Sequence, residues 1–369
     1  MLVVGVVFKL IQAISIKLGL DDKEYLKYLD IVCVGTISDI VPLVDENRVI
    51  TKLGLMLIEQ TKNIGLKTLI NQSGYRKVDS TTISFGVAPR INACGRMGYQ
   101  NEALKLFLTN NIQEARDIAT KLNQYNIERQ TKEKEIFKQA ILELEKEDID
   151  NLNSIVLCGD NWHHGVIGIV ASKIAEKFFK PTILICFEGN EGKGSGRSLP
   201  GFDLHNALVK CSQYLEKYGG HEMAVGVSLK KDMYEYFKKK FEEIAIAQDI
   251  KDIVPVIKID GIINSKDINK ETVKEIEKLE PFGEKNKNPI FVYKNLKIDS
   301  IRALSEGKHL KLILKDDNLL INAIGFNLGY LSEEYTIGDK IDVAGILEIN
   351  NYGNQEIVQI NIKDIMKSI

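Results

Sequence analysis

At 369 residues the chain exceeds what one hydrophobic core usually organises, so two or three domains are expected. Hydrophobic residues at 44% and charged residues at 27% are ordinary for a folded protein and exclude a disordered chain. A formal net charge of -2 excludes a global positive field, so any nucleic-acid binding has to come from a local basic groove.

The N-terminal run Met1-Leu2-Val3-Val4-Gly5-Val6-Val7-Phe8 is apolar but has no basic flank, and Lys9 and Lys17 interrupt it. It reads as neither signal peptide nor anchor. Asp30-Ile31-Val32-Cys33-Val34-Gly35-Thr36-Ile37 reads as a buried strand, and residues 54–70 as mostly helical. Just past that strand, in Gly35-Thr36-Ile37-Ser38-Asp39-Ile40-Val41-Pro42-Leu43, one carboxylate stands where α/β sheets usually hold ligands and metals. Asp39 is therefore either a metal ligand or an N-cap ahead of the next helix.

In Phe85-Gly86-Val87-Ala88-Pro89-Arg90-Ile91-Asn92-Ala93-Cys94-Gly95-Arg96-Met97-Gly98, two arginines stand six residues apart in what reads as a Gly/Ala-rich loop. Glycines let the backbone approach a ligand, and guanidinium forks fit phosphate oxygens. From Tyr99 to Cys158 there is neither glycine nor proline, and residues 112–147 carry apolar positions at helical spacing amid Lys and Glu. About 35 helical residues span ~50 Å at 1.5 Å each. One helix of that length suits a spacer between domains, and the alternative is two shorter helices broken near Asn123 to Asn126.

Strand-like runs at 154–159 and 181–187 then alternate with helix-like runs at 165–179 and 202–215, the texture of an α/β domain. Asp160-Asn161-Trp162-His163-His164-Gly165-Val166-Ile167-Gly168 places adjacent histidines between the single tryptophan and a helix start whose free amides suit an anion. The histidines can ligate a metal, donate to phosphate or cap the loop; adjacent residues seldom point at one ion, which favours a hydrogen bond for at least one.

Gly192-Lys193-Gly194-Ser195-Gly196-Arg197-Ser198 combines backbone freedom, hydroxyls and a guanidinium, suited to a phosphodiester or, more plainly, to a hairpin turn. Gly219-Gly220-His221-Glu222-Met223-Ala224-Val225-Gly226 repeats the theme around His221, which is either a site residue or structural. Lys230, Lys231, Lys238, Lys239 and Lys240 either track nucleic acid or form the solvated face of a helix. From Pro255, alternating segments such as His309-Leu310-Lys311-Leu312-Ile313-Leu314-Lys315 indicate a small β-barrel, with residues 265–278 as a helical exception. The five cysteines are scattered and flanked by apolar residues, as expected of reduced packing residues in a cytoplasmic protein.

Taken in order, GTISDIVPL, GVAPRINACGRMG, NWHHGVIGIVASK, GSGRS followed by PGFDL, YGGHEMAVG and LEPFGEKNKNPIF resemble the RecJ family of the DHH phosphoesterase superfamily, from about Val6 to the C-terminus. The resemblance implies an α/β chain with part of a parallel-sheet DHH domain over 1–110, a connecting helix over 111–148, an α/β DHHA1 domain over 149–250 and an OB-fold barrel with its linker over 251–369. It implies a 5′ exonuclease on single-stranded DNA, acting in repair and recombination through a two-metal Mn2+ or Mg2+ site. It also implies protein partners such as a single-strand-binding protein and a RecQ-type helicase, a cytoplasmic location and no membrane.

By that resemblance Asp39 matches the family's metal-binding, catalytic aspartate. Ser195, Gly196, Arg197 and Ser198 match its phosphate loop, and Gly220 and His221 the segment whose histidine meets the nucleotide. Arg90, Asn92 and Arg96 match a motif lining the same cleft, and His163 and His164 match a loop expected to support substrate or cleft closure without binding metal. The family's earlier motifs, an Asp-x-Asp after the first strand, a further Asp and an Asp-His-His, would lie upstream of Phe8 and have no counterpart in the chain. The chain as written is thus expected to be truncated, to be catalytically inactive alone because one ligand cannot hold two hard cations, and to expose apolar surface along Ile31 to Ile37 with poor solubility. Two other readings are a non-catalytic single-strand-binding remnant and a phosphoesterase on short oligonucleotides or cyclic dinucleotides. The β-rich tail argues against the second, because short substrates need no strand-tracking barrel.

Overall fold

The protein is described from a computed structural model covering residues 3–75, 77–248, 255–352 and 355–368. It divides into two compact units, Met1–Gln60 with Val78–Thr81 and Ile257–Ile369, and Thr61–Lys77 with Thr82–Val256. The α/β class holds, and the two units reach it differently. The expected boundary at 250/251 falls outside the described residues.

The first unit opens on four helices, α1 (Val3–Lys17), α2 (Lys23–Leu26), α3 (Leu29–Ser38) and α4 (Asp45–Ile58). The strand expected over 30–37 is therefore a helix, and no strand precedes Ile155 among the described residues. Burial explains the misreading: Leu29, Asp30, Val32, Cys33, Val34, Thr36 and Ile37 of α3 are all buried. A helix covered on nearly every side has no polar face to print a 3.6-residue period.

Small residues let its neighbours close in. A Cβ on Gly54 of α4 would stand 2.3 Å from the Cys33 Cβ, and one on Gly35 would stand 2.9 Å from Val4 of α1. The apolar exposure expected along 31–37 lies instead on α1, where Val3, Val6, Val7, Leu10 and Ile14 face solvent.

The rest of this unit is a closed barrel of β7 (Phe291–Leu304), β8 (His309–Asp316), β9 (Leu319–Gly325), β10 (Lys340–Tyr352) and β11 (Gln355–Lys367). Strand order runs β10-β11-β9-β8-β7, and the additional β10–β7 pairing closes it. The short β6 (Gly261–Ile262) adds to β7 in parallel. Alternate residues such as Leu310, Leu312 and Leu314 fill the interior, and α12 (Lys270–Glu277) contributes Val273 and Ile276 to the same core.

The second unit begins with α5 (Ile64–Ser73), a π-helical turn at Thr82–Val87, α6 (Ala88–Arg96), α7 (Gln100–Leu108) and α8 (Ile112–Leu144). The stretch read as a Gly/Ala-rich loop is thus largely helical. The expected long helix is a single unbroken α8 of 33 residues, ~50 Å long at 1.5 Å per residue. The asparagines that suggested a break bond to other side chains instead: Asn123 accepts from Arg90 at 3.1 Å and Asn126 from Arg129 at 2.7 Å. Nor does α8 stand free as a spacer, since it packs against α5, α6, α7 and, further on, α9 (His164–Phe178).

A five-stranded sheet follows in the order β1-β2-β3-β5-β4, from β1 (Ile155–Asp160), β2 (Thr182–Glu188), β3 (Glu191–Arg197), β4 (Lys217–His221) and β5 (Ala224–Lys230). Only β1 and β2 are parallel, joined through α9. Strand alternation splits the sheet into two cores. Val156, Ile183, Ile185, Val225 and Val227 face α10 (Leu204–Lys210) and α11 (Tyr234–Ile246), while Ile155, Leu157, Leu184 and Cys186 face α8 and α9. All five cysteines are free thiols, and burial pushes the Cys211 thiol up to about 12. Among the described residues no helix is long and apolar enough to cross a membrane.

Candidate functional site

Trp162 anchors the turn from β1 into α9. Its indole donates to Gln139 Oε1 at 2.7 Å and lies over Gly159, where a Cβ would come within 2.3 Å of the ring. His163 then caps α9, its Nδ1 accepting from the Gly165 amide at 3.1 Å. That bond requires a neutral ring, and burial together with the neighbouring His164 holds the His163 pKa below its ordinary value. The two imidazoles lie nearly parallel, 10° apart with centroids 5.3 Å from each other.

The run Gly192 to Ser198 is neither a loop nor a turn through most of its length; it is β3. Its glycines face the α10/α11 core: a Cβ on Gly196 would stand 2.7 Å from Val225 and one on Gly194 2.6 Å from Val227. Gly196 therefore serves packing. Ser195 and Arg197 point to the other face, where a Cβ on Gly168 of α9 would meet Ser195 Oγ at 2.9 Å and Arg197 Nη2 at 3.1 Å. Arg197 donates to Ser195 Oγ at 3.1 Å. Ser198 is buried and its hydroxyl donates to the Phe202 carbonyl at 2.6 Å, so it holds the following turn and is not brought to this face.

Arg96, at the end of α6, meets the same helix start. It donates to the Gly165 carbonyl at 3.2 Å, and its own carbonyl would stand 2.3 Å from a Cβ on Gly165. Desolvation and then Arg129 lower the Arg96 pKa, while desolvation and then Arg96 lower that of Arg197. The Arg96 guanidinium of α6 thus lies in the field of Arg129 from α8, and that of Arg197 from β3 in the field of Arg96. Glu133, almost fully buried, is the carboxylate among them, bridging Arg129 and Lys173. One carboxylate among four cations leaves a local positive excess that suits a polyanion.

Beyond β3 the sheet face is bare. Paired residues on antiparallel strands share a face, so the register Arg197–Ala224–His221 puts His221 in the Arg197 row, about 10 Å away across two strand spacings. The next row is Ser195–Gly226–Gly219, and a Cβ on either glycine would meet nothing within 4 Å. Gly220, at φ 139°, packs against the Ala224 carbonyl, a conformation and a contact that a side chain would forbid.

Other expected residues lie apart from this cluster. Arg90 turns its donors to Asn123 and to the Gly86 carbonyl, binding α6 to α8. Asn92 is exposed on α6. Lys230 and Lys231 pair with Glu191, Glu216 and Asp160, while Lys238 and Lys240 pair with Glu147 and Glu243. A cavity of about 700 Å³ opens where β1 and β2 end, lined by His163, His164, Lys132 and Lys231 but also by Asp160 and Glu188. Its charges balance, so the arginine cluster is the stronger anion site.

Sequence reasoning missed Asn126, Arg129, Glu133 and Lys173. For the first three the available signal was polar residues on the inward face of α8, between Leu122 and Ile136.

In the first unit Asp39 caps the C-terminus of α3, not an N-terminus, with its amide bonded to the Gly35 carbonyl at 3.2 Å and its side chain exposed. The loop after it and the start of α4 are held by the motif at 279–291: Leu43 N donates to the Glu284 carbonyl at 2.7 Å, and Arg48 of α4 to the Leu279 carbonyl at 2.7 Å. Two of the six sequence motifs therefore meet here. The donors present do not by themselves fit a pair of divalent metals, because among the described residues no group of three or more His, Cys, Asp or Glu side chains is placed to hold an ion.

A three-layer α/β domain and a closed barrel are what comparison with known proteins identifies as a DHHA1 domain over residues 151–247 and a RecJ OB domain over residues 259–364. The single-stranded-DNA-specific exonuclease RecJ of Bacillus subtilis is 36% identical over 98% of this chain and 46% of its own length. The crystal structure of RecJ from Thermus thermophilus in complex with Mn2+ superposes with a TM-score of 0.85 at 30% identity, covering 97% of this chain and 52% of that one. A structure of exonuclease RecJ bound to manganese matches at 34% identity with a TM-score of 0.59, over 67% of this chain and 62% of that one. The chain belongs to the RecJ family, and it spans about half the length of these first two relatives.

Proposed function

We propose that the second unit grips the phosphodiester backbone of single-stranded DNA through Arg96, Arg129, Ser195 and Arg197, with His221 further along the same sheet face. The supporting observation is that Arg96 and Arg197 both reach the first turns of α9, with Arg129 in the field of Arg96, beside a sheet face floored by glycine and alanine. Anions favour a helix N-terminus, and backbone without side chains lets a strand lie close. His163 and His164 support this face through the α9 cap, Gly220 through the β4–β5 turn, and Arg90 and Asn92 through α6. Gly196 and Ser198 act through packing and turn geometry.

The activity that goes with this grip is 5′ exonucleolysis of single-stranded DNA with Mn2+ or Mg2+, in repair and recombination, alongside a single-strand-binding protein and a RecQ-type helicase. Asp39 is the residue of this chain assigned to the metal. A carboxylate at the negative end of α3 is favoured by a nearby cation. Because one exposed carboxylate does not make a two-metal centre, the chain by itself is expected to bind without cleaving.

The test measures both properties on the full chain with 5′-phosphorylated single-stranded DNA. Binding should weaken with salt at a log–log slope near −2 if about three cations contact phosphates. Arg197→Ala should weaken it roughly 10- to 100-fold, the worth of charge-assisted hydrogen bonds. Unchanged binding in that variant would overturn the phosphate assignment, and Mn2+-dependent release of mononucleotides would overturn the expectation of inactivity.

A further inference from the structure

We infer that Tyr99 and Tyr125 form a base-stacking platform beside the arginine cluster, which holds one nucleobase of the bound single strand; this rests on the phosphate assignment above. The two rings are stacked, with centroids 4.3 Å apart and planes 10° from parallel. Tyr125 is half-buried on α8 and backs the pair, while Tyr99, 46% exposed, caps the start of α7 and turns its ring to solvent. The Tyr99 amide donates to the Cys94 carbonyl at 2.7 Å, which fixes the backbone that carries the ring.

Both tyrosines lie close along the chain to cations already assigned. Tyr99 follows Arg96 by three residues, and Tyr125 precedes Arg129 by one helical turn. The nearby carboxylates do not repel a strand unopposed, because Glu102 pairs with Lys105 and Lys121, and Glu128 with Lys132. A ring held flat by a second ring has lost its rotamer freedom before any ligand arrives, so a base stacked on it costs little further entropy. Every base has a π face, so such a platform takes any of them, and the neighbouring guanidiniums take the phosphate.

The experiment compares, by fluorescence anisotropy on the full chain, a 5′-phosphorylated oligothymidylate with an oligonucleotide of the same length built wholly of abasic sites. Tyr99→Ala should weaken the thymidylate roughly 5- to 150-fold, the span found for stacking aromatics, and leave the abasic strand unchanged. Tyr99→Phe keeps the ring and should keep the affinity. The platform is overturned if Tyr99→Ala leaves thymidylate binding unchanged or weakens both ligands equally. Arg197→Ala should weaken both ligands equally; if it weakens neither while Tyr99→Ala still discriminates, the phosphate assignment fails and the platform stands. If the unmodified chain binds neither ligand, both fall.

Discussion

His163 carries two obligations on one ring: its Nδ1 must accept from the Gly165 amide, and its neighbours are a buried indole and a second imidazole. Its pKa lies below the ordinary value of 6.5 when folded, so the unfolded chain takes up the proton first. The stability it contributes is present above pH 6.5, falls as the pH drops below that value, and stops falling once the folded ring also protonates. His163→Asn keeps a capping oxygen that does not titrate, and should lose less stability than the parent between pH 7.5 and 5.5 in denaturant titrations. His163→Ala should cost ~1 kcal/mol already at pH 8 through the lost cap. Equal pH dependence of parent and Asn variant would contradict this account.

Residue types in the motifs were readable as phosphate chemistry, but not their directions. Ser195 and Ser198 look alike in sequence; one faces α9 and the other pins a buried turn, because three residues along an extended segment reverse the face.

At the scale of elements, close helix approach decides more than propensity. A Cβ on Gly54 would collide with Cys33 and with the Leu29 carbonyl 2.5 Å away, both on α3. Gly54→Ala should therefore destabilise the first unit by ~1–3 kcal/mol, since backbone must move. Gly95 of α6 is exposed with nothing within 4 Å, and Gly95→Ala should gain ~0.5–1 kcal/mol from the unfolded chain's lost freedom. Thermal unfolding of the two variants reads both signs, and a stabilising Gly54→Ala would show that α3 and α4 are not held at contact. The same pair explains why α3 read as a strand: its apolar, β-branched residues are covered by α1 and α4 on nearly every side, which leaves no polar face to mark a helical period. By contrast α8 was legible, because one of its faces stays wet and keeps its Lys and Glu.

At the scale of the whole molecule, the barrel draws its buried core from Val273 to Ile365 alone. Residues 257–369 made separately should therefore fold, giving a β-type circular dichroism spectrum and a cooperative melt; a disordered fragment would mean that the contacts of Leu43, in the α3–α4 loop, and of Arg48, on α4, are needed for folding. The net charge of -2 is equally uninformative at this scale, because the arginine excess is local and is balanced elsewhere.

Amino-acid order alone determined the class of fold, the long α8, the alternation that builds the barrel, and a family resemblance carried by six motifs. Each is a pattern written in neighbouring residues, by periodicity or by a contiguous string. Tertiary structure decided that residues 30–37 are helix, that Glu133 bridges Arg129 and Lys173, that Arg90 bonds to Asn123 and Gly86 and Ser198 to Phe202, and that Tyr99 stacks on Tyr125. Those outcomes depend on which distant side chains share a volume, and burial and close contact between remote segments leave no local pattern to read.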